Sequence, residues 1–148
     1  MNLIGNKDIL NLEKTAFLCS RKVPAEIILK SYDWEKRQRE NGNCIVCGNH
    51  SQIEKDVFEI LLKGKQPLIL ILARGLKKRT DPEITDALNK NRLLIISPFE
   101  KAITRITRKT AEIRNKLIIE MSNKIVVAYK TPKGQLDNLL KNIDYNII

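Results

Sequence analysis

Pro67-Leu68-Ile69-Leu70-Ile71-Leu72, running into Ala73-Arg74-Gly75-Leu76-Lys77-Lys78-Arg79, is the stretch that decides the fold class. A run with no polar residue does not alternate between a core face and a wet face, so it reads as a strand covered by helices on both sides, the situation of a parallel sheet. The flanking sequence agrees. Upstream, Cys44-Ile45-Val46-Cys47 is a similar short run closed by Gly48-Asn49-His50. Between the two runs, Ser51 with Glu54 three residues later forms a capping box, opening a helix to about Lys63 with Ile53, Val57, Ile60 and Leu61 as its apolar stripe. Further upstream, Thr15–Cys19 predicts a strand and Ala25–Glu40 a helix, stopped by Asn41-Gly42-Asn43. Downstream come a short helix from Asp81-Pro82-Glu83 to about Leu88, a strand Arg92–Ser97, a helix of about Thr107–Met121, a strand Lys124–Tyr129 and a last helix Gln135–Asn142. Five strands separated by helices predict an α/β three-layer sandwich, its mostly parallel five-stranded sheet linked by right-handed crossovers.

Composition fits one such unit. With 148 residues, 43% hydrophobic and 30% charged, the chain is expected to form a single domain over residues 1–148. No apolar run approaches the ~18 residues of a membrane span. The N-terminal Met1-Asn2-Leu3-Ile4-Gly5-Asn6-Lys7 lacks the layout of a signal peptide. The expected setting is the cytoplasm, with Cys19, Cys44 and Cys47 reduced.

The charge is concentrated. The chain has 27 Lys+Arg against 17 Asp+Glu, a net +10, and two segments supply nine of those charges. Arg74, Lys77, Lys78 and Arg79 make one, net +4; Lys101, Arg105, Arg108, Lys109, Arg114 and Lys116 against Glu112 make the other, net +5. Plain solubility is one reading and an anionic partner is the other. In open parallel sheets, ligands bind beyond the carboxyl ends of the strands, where the strand order reverses. Those ends carry Ser20-Arg21-Lys22, Gly48-Asn49-His50-Ser51, Ala73-Arg74-Gly75, Ser97-Pro98 and Lys133-Gly134-Gln135. Both basic segments begin on the same edge, which favours the anionic partner.

The ordered series of motifs resembles the DNA-processing protein A family (DprA/Smf), whose core is a Rossmann-like SLOG domain. Cys19-Ser20-Arg21 is similar to its G-S-R, and Cys47-Gly48 followed by Ile53-Glu54 to its S-G-x-A-x-G-I-D. Leu68–Leu76 resembles T-I-A-V-L-G-x-G-L, and Ile95-Ile96-Ser97 matches L-I-S. The sharpest match is Arg114-Asn115-Lys116-Leu117-Ile118-Ile119-Glu120-Met121-Ser122 against R-N-R-I-I-x-x-L-S; Lys133-Gly134-Gln135-Leu136 falls where S-G-S-L is expected. The similarity runs from about Thr15 to Leu140. Departures are Cys19 for the glycine of G-S-R, Gln52 for an inner glycine, Glu54 for the aspartate, Phe58 for a histidine and Pro98 for an acid. Lost glycines bear on phosphate cradling, because they let backbone N–H groups approach an anion. The resemblance implies binding of single-stranded DNA and a recombinase as a partner, in DNA processing, uptake or recombination. A homodimer is left open.

The candidate nucleic-acid or phosphate contacts are therefore Ser20, Arg21, Lys22, Gly48, Asn49, Arg74, Lys77, Lys78, Arg79, Ser97, Arg105, Arg108, Lys109, Arg114, Asn115 and Gly134. Arg21 and Arg114 are suited to bidentate phosphate contact; the structural alternative for Arg114 is a fork onto a carboxylate or onto carbonyls. Gly134 offers free N–H groups ahead of a helix or is a plain turn glycine. Gly75 reads as a hinge letting Lys77, Lys78 and Arg79 close on a long anion.

Other chemistries find less support. Cys44, Cys47 and His50 invite a zinc reading, but residues three apart on a strand point to opposite faces, and a fourth ligand is wanting. A Cys19–Cys47 disulfide is left to the geometry. His50 is the sole histidine, and no catalytic triad or paired carboxylates stand out. The G-G-x-G-T-x-x-E motif of the related LOG phosphoribohydrolases is missing near Lys133–Leu136. No metal, cofactor or catalytic residue is expected. Phe99 is the one aromatic near the basic edge, so sequence-independent phosphate contact is the expected mode. The second reading is a sensor pocket for a nucleotide-like small molecule around Arg21, Ser97 and Gly134; the third is an interaction module without a ligand.

Overall fold

The computed structural model describes residues 1–148. The elements run β1 (Asn2–Gly5), a 3-10 turn (Lys7–Asn11), β2 (Lys14–Cys19), α1 (Ala25–Asn41), β3 (Cys44–Cys47), α2 (Gln52–Leu62), β4 (Leu68–Ile71), α3 (Pro82–Asn89), β5 (Leu93–Ser97), α4 (Arg108–Met121), β6 (Lys124–Tyr129), α5 (Gln135–Leu139) and β7 (Asn146–Ile147). All strands join one sheet, in the order β1-β5-β4-β3-β2-β6-β7. Every pairing is parallel except β1 against β5.

The α/β three-layer class is as predicted, but the sheet has seven strands rather than five. The two additional strands are its edges. Both are short and largely exposed, so they carry none of the buried apolar pattern that marks a strand in a sequence. The last helix is also shorter than predicted, ending at Leu139, and Asn142 beyond it takes a positive φ of 63°.

Side-chain alternation along each strand builds two cores. Phe17, Ile45, Cys47, Leu68, Leu70, Leu93 and Ile95 pack under α1–α3, against Ile53, Val57 and Leu61. Ala16, Leu18, Cys44, Val46, Ile69, Ile71, Leu94 and Ile96 pack on the other face, with Ile118 of α4 and Leu136 and Leu140 around α5. Cys44 and Cys47 therefore face opposite layers. All three cysteines are free thiols, and burial pushes Cys19 up to about 12 and Cys44 up to about 11.

Helix ends follow local chemistry. Ser51 and Glu54 form the expected capping box on α2, and Thr107 and Thr110 form a second one on α4. At the far end of α2, Arg92 donates to the carbonyls of Leu61 and Leu62, each at 2.8 Å, and of Gln66 at 3.1 Å. The first two belong to the last turn of α2, where carbonyls lack intrahelical partners; that of Leu61 also accepts from the Gly64 amide and the Gln66 side chain. The winding proceeds outward from β2 through β3 and β4 to β5, then returns to the other side of β2 with β6. The reversal lies between β2 and β6, and a ligand crevice belongs at their carboxyl ends.

Candidate functional site

A groove of about 490 Å³ occupies that reversal point. Cys19, Ser20, Arg21 and Lys22 line it from the end of β2, Thr131, Gly134 and Gln135 from the end of β6, and Thr107, Arg108 and Ala111 from the start of α4. Backbone bonds fix the two strand ends: the Ser20 amide donates to the Tyr129 carbonyl at 2.8 Å, and the Thr131 amide donates to the Ser20 hydroxyl at 2.8 Å. The Gln135 amide group donates to the Arg108 carbonyl at 3.0 Å and ties α5 to the first turn of α4.

The groove does not end there. His50, Ile106 and Arg114 also line a second hollow of about 340 Å³, with Asn49, Lys55, Arg74, Lys77 and Thr104. Asn49, Lys55 and Lys77 in turn line a third of about 860 Å³ between α2 and α3, where Glu59, Asp81, Glu83 and Asp86 make the lining net acidic. The three hollows share walls in series along one edge of the sheet. This arrangement brings the two basic segments together. The Gly75 amide donates to the Ile103 carbonyl at 2.7 Å, and the Ser97 hydroxyl donates to the Arg74 carbonyl at 2.6 Å. A Cβ on Gly75 would lie 2.2 Å from the Glu100 carbonyl oxygen. The hinge reading of Gly75 is thus corrected: the glycine is buried and permits close approach of the two loops.

Several expected contacts act as framework instead. Arg114 is 3% exposed and pairs with Glu54, Nη1 to Oε2 at 3.1 Å, while its Nε donates to the Asn115 side-chain oxygen at 2.8 Å. Gly48 lies directly beneath, and a Cβ there would meet Arg114 Nη1 and Glu54 Oε2. Its function is to leave room for the ion pair. Ser97 is fully buried, its hydroxyl also accepting from the Phe99 amide. The Gly134 amide donates to the Thr131 carbonyl at 3.0 Å and so is not free for an anion. Phe99 is buried at 9% exposure, which removes the only aromatic proposed for stacking.

The cations are a different matter. Arg21, Lys22, Lys77, Lys78, Arg79, Arg105, Arg108 and Lys109 are exposed. Four ion pairs form in the whole chain, and none includes any of them. Arg108 opens α4, whose first turn has no acid, although the helix dipole favours negative charge there. An anion seated in the groove would reverse that conflict.

A model of the family described as DNA recombination-mediator protein A matches residues 1–136. The chain belongs to this family. Among solved structures, DNA processing protein A from Helicobacter pylori, described for a unique single-stranded DNA binding mode, shares 17% identity at a TM-score of 0.73, over 98% of this chain and 69% of that one. DprA from Streptococcus pneumoniae shares 19% at 0.75, over 98% of this chain and 53% of that one. The molybdenum cofactor carrier protein of Chlamydomonas reinhardtii shares the fold at 15% identity and 0.57, over 91% of this chain and 75% of that one. No curated protein sequence matches the chain.

In this DprA-family chain, residues quoted for the family resemblance converge: Glu54, Arg114 and Asn115 line the first groove, and Gly48 lies beneath the ion pair. Sequence reasoning missed three lining residues, His50, Lys55 and Ile106. His50 was placed on the ligand edge, after the end of β3, but was weighed only as a metal ligand or catalytic base and not as an anion contact.

Proposed function

We propose that the chain binds single-stranded nucleic acid, DNA foremost, through sequence-independent phosphate contacts along the first two connected grooves, in DNA processing or recombination. The observation that carries this reading is the set of exposed cations without a carboxylate partner, Arg21, Lys22, Lys55, Lys77 and Arg108, that line these two grooves, which share a wall. A flexible polyanion can follow such a track with several phosphates at once, displacing a counterion at each. The family, and the single-stranded DNA binding described for the Helicobacter pylori relative, support the same partner. Residues 1–148 act as one domain in the cytoplasm, with a recombinase as protein partner.

The test is fluorescence anisotropy with a labelled oligothymidylate at about 50 mM and about 200 mM salt. Several contacts give a steep fall in affinity between the two, and Arg105→Glu with Arg108→Glu weakens binding by at least about tenfold. A shallow salt dependence together with an unaffected double variant rejects the track. The other reading, a nucleotide-like small molecule, draws on the size of the first groove, about 490 Å³, which lies in the range of small-ligand sites. A nucleotide monophosphate competing at low salt dependence would favour it.

A further inference from the structure

The wall between the first two grooves contains a group that changes charge near neutrality. His50 lines both hollows, immediately beyond the end of β3. Charged residues face it from three directions: Glu54 and Lys55 on α2, Arg114 on α4 and Arg21 beyond β2. Of these, Glu54 is already committed, paired with Arg114 and bonded to the Ser51 hydroxyl. The remaining surroundings are cationic and partly dry, so the ring sits below its ordinary value and is neutral at pH 7. Partial burial is the largest cause. No other hydrogen bond within the chain engages the ring, leaving its nitrogens available to a ligand.

We propose that this joint is a phosphodiester subsite and that His50 is its proton-coupled ligand, taking up one proton as the phosphate settles between Arg21, Lys55 and the ring. The proposal rests on the nucleic-acid reading above. A phosphate within a few ångströms reverses the local field, so the ring that was disfavoured as a cation becomes favoured as one. The proton comes from solvent, and no bond is made or broken in the ligand. Sign follows from linkage: the bound complex holds more protons than the free protein, so affinity rises as pH falls, by at most about tenfold per unit for one proton. The rise begins where the bound ring titrates and levels off below the titration of the free ring. The subsite makes binding sensitive to pH in the range where other basic side chains are indifferent.

His50 is the only histidine, so its ring protons give an isolated NMR signal. The experiment follows that signal from about pH 8 to about pH 5 with and without an oligothymidylate, whose bases do not titrate in this range. The midpoint is expected to move upward in the complex. In parallel, anisotropy titrations should show wild-type affinity rising at least about threefold between about pH 8 and about pH 5.5. His50→Gln should lose most of the rise between the two pH values, and His50→Lys should bind tightly throughout. An unmoved midpoint, or a His50→Gln protein that keeps the full rise, overturns the subsite while the track stands. Absence of oligonucleotide binding at every pH overturns both.

Discussion

The two edges of the sheet use their basic residues in opposite ways. On the edge where the parallel strands begin, the protein holds three cations, although Lys7 and Lys65 there make no ion pair. Arg92 forks onto the last carbonyls of α2, the Lys14 ammonium donates to the carbonyls of Leu10 and Leu12, and Lys124 lies 3.7 Å from Glu13. On the edge where those strands end, Arg21, Lys22, Lys77, Arg105 and Arg108 have no carboxylate partner. Solubility alone would predict no such polarity between edges. Cations without internal partners on one edge are available to an external anion there.

Arg114 sharpens this contrast, because it sits on the open edge and, like Lys130 with Asp137, is nevertheless held. Removing it would leave Glu54 in a poorly hydrated site without its partner. Arg114→Ala is expected to lose about 3–5 kcal/mol of stability, read as a drop in the urea midpoint. A loss below about 1 kcal/mol would move Arg114 into the same class as the free cations and return it to the list of direct ligands.

Next in size is the closed edge itself. Arg92→Ala removes the side-chain donor from the Leu62 and Gln66 carbonyls and one of three donors from that of Leu61, and should cost about 2–3 kcal/mol by chemical unfolding, with little change in oligonucleotide affinity. Arg108→Ala should show the reverse, a stability change within about 0.5 kcal/mol and a clear loss of binding. Equal stability effects at the two positions would erase the distinction between the edges.

Much of this was legible from the residues, for a physical reason. The five inner strands were readable because burial on both faces forces continuous apolar runs, and Leu68–Ile71 is the purest case. The helix starts at Ser51 and Thr107 were readable because capping is local. β1 was not, because its stability comes from backbone pairing with Leu94–Ser97 rather than from side-chain burial. The ligand edge followed from topology, hence Arg21 and Arg108. The Glu54–Arg114 pair spans 60 positions, and spacing says nothing about such a contact. Gly75 shows the same limit: a glycine that bends and a glycine that yields space look identical in sequence, and only the approach of the Glu100 carbonyl separates them.

Between the edges lies a charge-bearing group that neither scheme accounts for. Glu35, on α1, is fully buried, and neither carboxylate oxygen has a hydrogen-bond partner. Burial holds its carboxyl well above the usual value of 4.5, so in the folded state it retains its proton after the unfolded chain has released its own. The folded state then binds more protons than the unfolded one, and stability falls as pH rises from about 4.5 toward the folded value. Glu35→Gln removes this ionisation while keeping the shape. Its urea midpoint should exceed that of wild type by about 1 kcal/mol at pH 7, with the advantage shrinking as pH is lowered toward the unfolded carboxyl's titration. Because Glu35 touches no groove, oligonucleotide affinity at fixed pH should be the same in both proteins. A Glu35→Gln protein that unfolds in parallel with wild type at every pH would mean that water or a shifted helix already solvates this carboxylate. In that case α1 would be less tightly seated on the sheet than the burial of Ser31 and Glu35 implies.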